Sequence, residues 1–570
     1  NGLDYFLHSY LYGTMYSSIP SAFVTTELVR LTDVKKVVIS RGSRNAPLTF
    51  GFTENKAFNC HSIVDERSAA FYGLGLAKAK NEPVALVCTS GSALLNYFPA
   101  IAEAFYSDVP LLVLSADRPE YLLEIGDGQT ILQEGVYGRM IAHSTSLLLD
   151  NSSDQDSINS INKSRIEASL IQLKSKQRPV HINIPFDEPL YNKTVEPLFS
   201  VDAERFEIED QVEDSLFIEA VPTNRPLKVM CLVGTLKPSA EEIKWLTDLQ
   251  SHHSVLFLHE SLSQLNLLDT VDSIDTLIAP LEKLENSADY FNRLLPDLLI
   301  TAGGMIVSKK IKALLRSQKN LIHVHLKGAP ARDTYFSLKG CLKIDSLKAL
   351  LDSVEIDSSY QKYWMNHYQG LEKRRSEYIE NAPYSDFKAY SKIFKCIPEG
   401  YVIHMANSSA IRYAQLFPTA NDQFCNRGTS GIEGSVSTAV GYAKGSDQPV
   451  ILVTGDLSFL YDSNALWTRD LPSNFRIIIV NNSGGGIFRI LPGKENSLHF
   501  SEYFETRHQF TAEHLAEHFD FDYHSVKALN DLENALDSFF NYSSKPKLLE
   551  VITHPQNNEA ILLNYFKALK

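Results

Sequence analysis

The sequence predicts an α/β protein built from three doubly wound, parallel-sheet domains. Three observations carry that expectation. Short apolar runs alternate with helix-length segments along the whole chain, the pattern of parallel strands joined by crossover helices. The chain has 570 residues, well beyond the size at which one hydrophobic core stops growing. Two of the apolar runs close on Gly455-Asp456 and Asn481-Asn482, polar ends of the kind that gather ligands outside the carboxyl edge of an open sheet.

The first block carries strand-like runs at Lys36–Ser40 (KVVIS), Val84–Thr89 (VALVCT), Leu111–Ala116 (LLVLSA) and Val180–Ile184 (VHINI). A helix over Ser68–Lys80 is rich in small residues that suit close packing, and the polar tract Asn151–Asn162 reads as a loop leading into the next helix. The second block begins after Pro185, with runs at Lys228–Gly234, Ser254–His259, Leu298–Gly304 and Leu321–Leu326. Tyr360–Asn381, charged and aromatic, reads as a helical linker. The third block has Tyr401–Met405, Pro449–Thr454, Arg476–Asn481 and Lys547–Thr553. The expected domains are 15–190, 200–355 and 385–570, each of ordinary size.

Hydrophobic residues at 44% and charged residues at 21% exclude a largely disordered chain. A net charge of −14 argues against nucleic acid or an anionic membrane as the main partner, so anionic substrates would need locally placed arginines. The six cysteines, at 60, 88, 231, 341, 396 and 425, form no Cys-x-x-Cys pair and read as buried free thiols of a reducing cytoplasm. No apolar run reaches the roughly 18 residues that span a bilayer. Residues 1–14 make a poor signal peptide, and Met15 offers an alternative start.

The segment Pro449–Gly486 is the most informative. A strand runs into Gly455-Asp456, a helix-length stretch follows, and a second strand runs into Asn481-Asn482 and three glycines. A carboxylate, an amide oxygen and a freed backbone carbonyl are the hard donors magnesium takes, with diphosphate oxygens and water completing its octahedron. Glycines 484–486 would let the backbone approach phosphates without a Cβ clash. Alone, a Gly-Asp pair could equally be a turn and Asn-Asn a strand cap.

The whole arrangement resembles the thiamine-diphosphate fingerprint, and its Gly-Asp-Leu-Ser variant resembles the MenD family, which makes SEPHCHC in menaquinone biosynthesis. The resemblance implies a thiamine-diphosphate-binding fold with pyrimidine (15–190), central Rossmann-like (200–355) and diphosphate (385–570) domains. It implies Mg2+ (or Mn2+) held by Asp456, Asn482 and the Gly484 carbonyl, with cofactor contacts from Leu457, Ser458, Ser430, Gly431, Ile432 and Ile487. Such an enzyme also needs a carboxylic acid against the aminopyrimidine ring. Glu66, in His61–Ala70, takes that place by resemblance, although by local pattern alone it reads as a carboxylate favoured by the start of a helix.

Four further stretches resemble the same family: Ser40–Leu48 (SRGSRNAPL), Thr89–Ala93 (TSGSA), Ala116–Pro119 (ADRP) and Cys425–Gly434 (CNRGTSGIEG). They supply Ser43, Arg44, Arg118 and Arg427, with Arg412 in a nearby strand-loop-helix unit, and guanidinium groups pair well with carboxylates. The implied substrates, 2-oxoglutarate and isochorismate, are both dicarboxylates. The implied reaction decarboxylates the first and adds the remaining unit in a 1,4 sense to the second. Gln129 is an implied substrate contact. Ile432 is a candidate prop for the cofactor, Ile487 and Phe488 candidate pocket walls, and each can equally be a core side chain. A homodimer or homotetramer is implied, with the first domain pairing with the third domain of another subunit.

The chain departs from the family pattern at Arg41, where proline is common, at Gly128, where asparagine is frequent, and near Met305, where some relatives carry a basic residue. Competing readings are another thiamine enzyme, either a 2-oxoacid decarboxylase or an acetohydroxyacid-synthase-like carboligase, and a non-catalytic cofactor-binding protein. His514-Leu-Ala-Glu517-His518 fits an inverted zinc-peptidase pattern, but the same stretch is an amphipathic helix and no third ligand stands out.

Overall fold

The computed structural model describes residues 15–151, 153–202, 225–252, 254–326, 331–490 and 497–570. Residues 1–14, with the questions of signal peptide and start site, lie outside them. The chain divides into two compact units. One comprises Asn1–Asp210, Asn426–Pro449 and Tyr461–Phe475; the other comprises Gln211–Cys425, Val450–Leu460 and Arg476–Lys570.

The first unit is built on a six-stranded parallel sheet of β1 (Lys36–Ile39), β2 (Asn59–Ser62), β3 (Val84–Cys88), β4 (Leu111–Asp117), β5 (His143–Ser146) and β6 (Val180–Pro185). Its order is β2-β1-β3-β4-β6-β5. Every residue of β3 and β4 is buried, as expected where helices cover both faces of a parallel sheet. The chain reverses its direction of growth between β1 and β3, so the carboxyl ends of these strands flank a switch point where ligands gather.

Helix α1 (Glu66–Lys80) starts on the Asp65 side chain, which accepts from the Ser68 N–H at 3.0 Å, and ends at left-handed Asn81. Helix α2 (Phe98–Ser107) and helix α3 (Gln155–Lys176) follow in chain order. The polar tract expected as a loop is therefore helical from Gln155 onward. Its Asn162 is fully buried and bonds the backbone N–H and carbonyl of Leu148 at 2.8 and 3.0 Å, which explains polar composition inside a packed helix.

The second unit holds two sheets. The central one contains β7 (Val229–Val233), β8 (Leu256–His259), β9 (Leu298–Ala302), β10 (Ile322–Leu326) and β11 (Leu338–Leu342), all parallel, in the order β8-β7-β9-β10-β11. The other contains β12 (Val402–Met405), β13 (Gln423–Cys425), β14 (Val450–Gly455), β15 (Arg476–Asn481), β16 (Asp522–Val526) and β17 (Lys547–Ile552). Its order, β13-β12-β14-β15-β17-β16, repeats that of the first unit's sheet strand for strand. The three-sheet, doubly wound α/β fold expected from the sequence is present.

Helix α4 (Ser358–Asn381) is more than the linker expected over Tyr360–Asn381. Tyr360, Trp364 and Met365 are buried in the central core, and the Tyr360 hydroxyl donates to the Leu294 carbonyl at 2.6 Å. Farther along, Tyr378 packs against the last sheet's core and donates to the Ile561 carbonyl at 2.6 Å. The aromatic residues along it serve these two cores. Cys88, Cys231 and Cys425 are buried thiols outside any disulfide, while Cys396 is exposed. Among the described residues, no helix is long and apolar enough to cross a membrane.

Candidate active site

In the first unit the loops that follow β1, β3 and β4 converge. A Cβ on Gly42 would lie 2.2 Å from the Thr89 Cβ, so the Ser40–Arg44 turn rests directly on the Thr89–Gly91 turn. Gly91, at φ +82°, donates its N–H to the Gln133 side chain at 2.8 Å, and a Cβ there would lie 3.1 Å from the Gln129 backbone. Arg118 Nε donates to the Gly128 carbonyl at 3.0 Å and lies 3.2 Å from Asp127. The buried Arg44 donates to the Phe186 carbonyl at 3.0 Å and lies 3.4 Å from Glu188. Burial first, and then the neighbouring Arg118 guanidinium, lower the Arg44 pKa. The two guanidiniums thus stand within electrostatic reach of one another, each beside a carboxylate of the chain. Ser43 and Gln129 are exposed on the same loops.

Glu66 is the first residue of α1, just past the end of β2. Burial raises its carboxyl above the ordinary value against the pull of its own backbone N–H, with Asp65 adding to the rise and Arg41 opposing it. A raised pKa suits an acid that shares a proton with a ring nitrogen. The departure at Arg41 thus places a cation within electrostatic reach of this acid.

The loop Arg427–Ile432 also belongs to this unit. Glu103, fully buried on α2, accepts from the Gly428 N–H at 2.8 Å, the Thr429 N–H at 2.6 Å and the Thr429 hydroxyl at 2.9 Å. Arg427 and Gly431 are half-buried, Ser430 takes φ +62°, and Ile432 is 37% exposed, which sets aside the core reading for Ile432.

In the second unit, β14 ends at Gly455 and Asp456 opens α8 (Asp456–Tyr461). One Asp456 oxygen accepts from the Leu457 N–H at 2.7 Å and the other from the Gly484 N–H at 2.9 Å. Gly484 has φ +143°, and a Cβ there would lie 2.6 Å from the Glu505 carbonyl, so only glycine fits. Asn482 is buried, and its Oδ1 has no hydrogen-bond partner among the described residues. A buried oxygen left so is costly unless something binds it. With the Asp456 carboxylate and the Gly484 carbonyl it forms a set of hard oxygen donors, and this set fits a magnesium ion. Ser458 is buried beside Asp456 in sequence, Ile487 and Phe488 are half-buried in the turn after the glycines, and Phe488 meets Phe504 edge-on. Arg412, on α6 (Ser409–Ala414), follows Ser408, which is strained at φ +71°. The structure brings Asp456, Asn482 and Gly484 together. The Arg412 charge acts on the buried Asp275.

Residues 22–139 match the family described as "Thiamine pyrophosphate enzyme, N-terminal TPP binding domain", and 407–551 match "Thiamine pyrophosphate enzyme, C-terminal TPP binding domain". The chain is 46% identical to the 2-succinyl-5-enolpyruvyl-6-hydroxy-3-cyclohexene-1-carboxylate synthase of Christiangramia forsetii, over 97% of this chain and 100% of the relative. It is 43% identical to the Flavobacterium johnsoniae protein of the same name, with the same coverage, and 36% identical to that of Porphyromonas gingivalis, over 97% of each chain. The chain belongs to the SEPHCHC synthase family.

Three residues at these sites escape sequence reasoning in a SEPHCHC synthase of this kind. Asp386, the first residue of α5 (Asp386–Cys396), accepts from Asn482 Nδ2 at 2.7 Å and from the Thr553 hydroxyl at 2.5 Å. Burial raises its carboxyl to about 6, these two hydrogen bonds hold it down, and the Asp456 charge adds to the rise. His508 places Nε2 3.2 Å from Asp456, and Glu103 clamps the Arg427 loop. Each is a single residue far along the chain from its partner, with no local pattern to mark it. The His514–His518 stretch is a surface helix whose His514 and Glu517 are exposed, and no metal-binding cluster of three or more His, Cys, Asp or Glu occurs among the described residues.

Proposed function

We infer that this protein is a thiamine-diphosphate- and magnesium-dependent carboligase. It breaks the C1–C2 bond of 2-oxoglutarate, releases CO2, and joins the remaining four-carbon unit to isochorismate, giving SEPHCHC. The observation that carries this reading is the presence of Arg44 and Arg118 within electrostatic reach of one another, on loops that also expose Ser43 and Gln129 where three family-like stretches converge. Dicarboxylate substrates ask for such a cluster. A 2-oxoacid decarboxylase acting on an apolar substrate does not.

The roles follow from the side chains. Asp456, Asn482 and the Gly484 carbonyl would hold the metal that anchors the diphosphate. Leu457, Ser458, Ser430, Gly431, Ile432 and Ile487 would contact the cofactor. When bound, thiamine diphosphate would supply a nucleophilic carbon and a cationic ring that takes up the electron pair freed as CO2 leaves. Glu66 would hold a proton against the aminopyrimidine ring. Arg44, Arg118, Arg412 and Arg427 would orient substrate carboxylates, with Phe488 walling the pocket. We take the three sheets as domains 15–190, 200–355 and 385–570 of a cytoplasmic homodimer or homotetramer whose active sites lie at the subunit interface. Glu66→Gln tests the reading. Thiamine diphosphate and magnesium should still bind by calorimetry while turnover falls by about 10²–10⁴-fold. Unchanged turnover removes Glu66 from the mechanism.

A further inference from the structure

Asn482 can serve a cation only through its oxygen, and an amide has two faces that differ by a flip. The residue that decides between them lies 96 positions away in the chain. Asp386 is 3% exposed, and each of its oxygens is committed: Oδ1 accepts from the Thr553 hydroxyl at 2.5 Å and Oδ2 accepts from Asn482 Nδ2 at 2.7 Å. Its own backbone N–H donates to Asn558 Oδ1 at 3.0 Å, which fixes the start of α5. An ionised carboxylate only accepts, so the amide must turn its NH2 group toward Asp386 and its oxygen away. That oxygen is the buried Asn482 Oδ1 without a hydrogen-bond partner among the described residues. Gly486 packs against the same NH2 end of the amide, where a Cβ would lie 2.8 Å from Nδ2.

We propose that Asp386 is a positioning residue for the metal, locking the Asn482 amide with its oxygen toward the cation. The inference rests on the reading of Asn482 as a metal ligand. An asparagine in place of Asp386 can accept or donate, so the lock is lost while the volume is kept.

The test is Mn2+ binding to the full-length protein in the presence of thiamine diphosphate, read by electron paramagnetic resonance of free Mn2+, with melting temperature as the check on folding. Asp386→Asn should weaken Mn2+ binding by about 10–100-fold, the range for residues that orient metal ligands, at little change in melting temperature. The exchanged pair Asp386→Asn/Asn482→Asp should recover affinity to within severalfold of the parent, because the introduced amide can donate to the new carboxylate and leave that carboxylate's second oxygen for the metal. Parent-like affinity in Asp386→Asn overturns the proposal, and so does an exchanged pair that binds no better than a poorly binding Asp386→Asn. If Asp386→Asn fails to fold, the exchanged pair decides alone: recovered affinity supports the lock and lost affinity overturns it. Failure of the parent itself to bind Mn2+ with thiamine diphosphate instead refutes the cofactor reading, so the two failures are distinguishable.

Discussion

Burial sets the protonation of residues well beyond the site. His181 is fully buried in β6, with Nε2 2.7 Å from the Ser115 hydroxyl and Nδ1 3.2 Å from the Ser144 hydroxyl. Burial lowers its pKa to about 3, so it stays neutral in the folded protein while the unfolded chain protonates it near 6.5. A depressed histidine stabilises the fold above the unfolded value and loses that contribution as pH falls. Between pH 6.5 and 5 the loss is about 2 kcal/mol. His61, lowered to about 4 by burial, adds a loss of the same sign. Urea denaturation at pH 7 and pH 5 should show the parent losing more stability than His181→Gln; equal losses would mean that this histidine is not the acid-sensitive group. The site residues at this scale were unevenly legible. Asp456 and Asn482 close apolar runs and Arg44 and Arg118 stand in distinctive turns, so each announced itself locally. Asp386 is one aspartate at a helix start, indistinguishable in sequence from a cap, and only the fold sets it against Asn482.

Among the elements, the central strands were readable and most edges were not; β8, an edge of the central sheet, was read because all four of its residues are buried and apolar enough to mark a run. KVVIS, VALVCT, LLVLSA and RIIIVN are apolar because helices cover both faces, and they appear as β1, β3, β4 and β15. Besides the two-residue pair Tyr16–Ser17 and Lys193–Thr194, the unpredicted strands include NCHS, HSTS, LKGCL, QFC and DYHSV, at β2, β5, β11, β13 and β16, and these five lie at the edges of the large sheets. An edge strand is partly solvated and needs no apolar run, so periodicity alone passes over it. Helix packing yields a sharper forecast. Helix α1 crosses α7 (Ser435–Gly445) with backbones touching: a Cβ on Gly75 would lie 2.1 Å from the Thr438 carbonyl, and one on Gly441 would lie 2.0 Å from the Tyr72 carbonyl. Gly441→Leu should therefore cost about 3 kcal/mol or more, since backbone cannot give way as a side chain can. Gly128→Asn, with nothing within 4 Å of its Cβ, should stay within about 0.5 kcal/mol. Comparable melting temperatures for the two variants would contradict the packing argument. Glu103→Ala strips the carboxylate acceptors from the part-buried Gly428 and Thr429 N–H groups, at a cost of about 1 kcal/mol. Because that loop carries Arg427, the variant should raise KM for the acidic substrates, and an unchanged KM would separate the clamp from substrate binding.

At the level of the whole molecule, two sheets of identical strand order each offer polar turns at their carboxyl ends. The first supplies Glu66 and the arginine pair, the last Asp456 and Asn482. If subunits share sites as we infer, Glu66→Gln and Asp456→Ala should each be inactive alone. Unfolded and refolded together, they should regain about a quarter of parental activity, since half of the statistical dimers carry one intact site. No recovery would place each site within one chain. The most direct test of the central claim is a coupled assay of the purified protein with thiamine diphosphate and magnesium, following isochorismate loss and CO2 release with and without 2-oxoglutarate. Our account predicts stoichiometric loss of both substrates that requires the cofactor. Decarboxylation of 2-oxoglutarate with isochorismate untouched would contradict it.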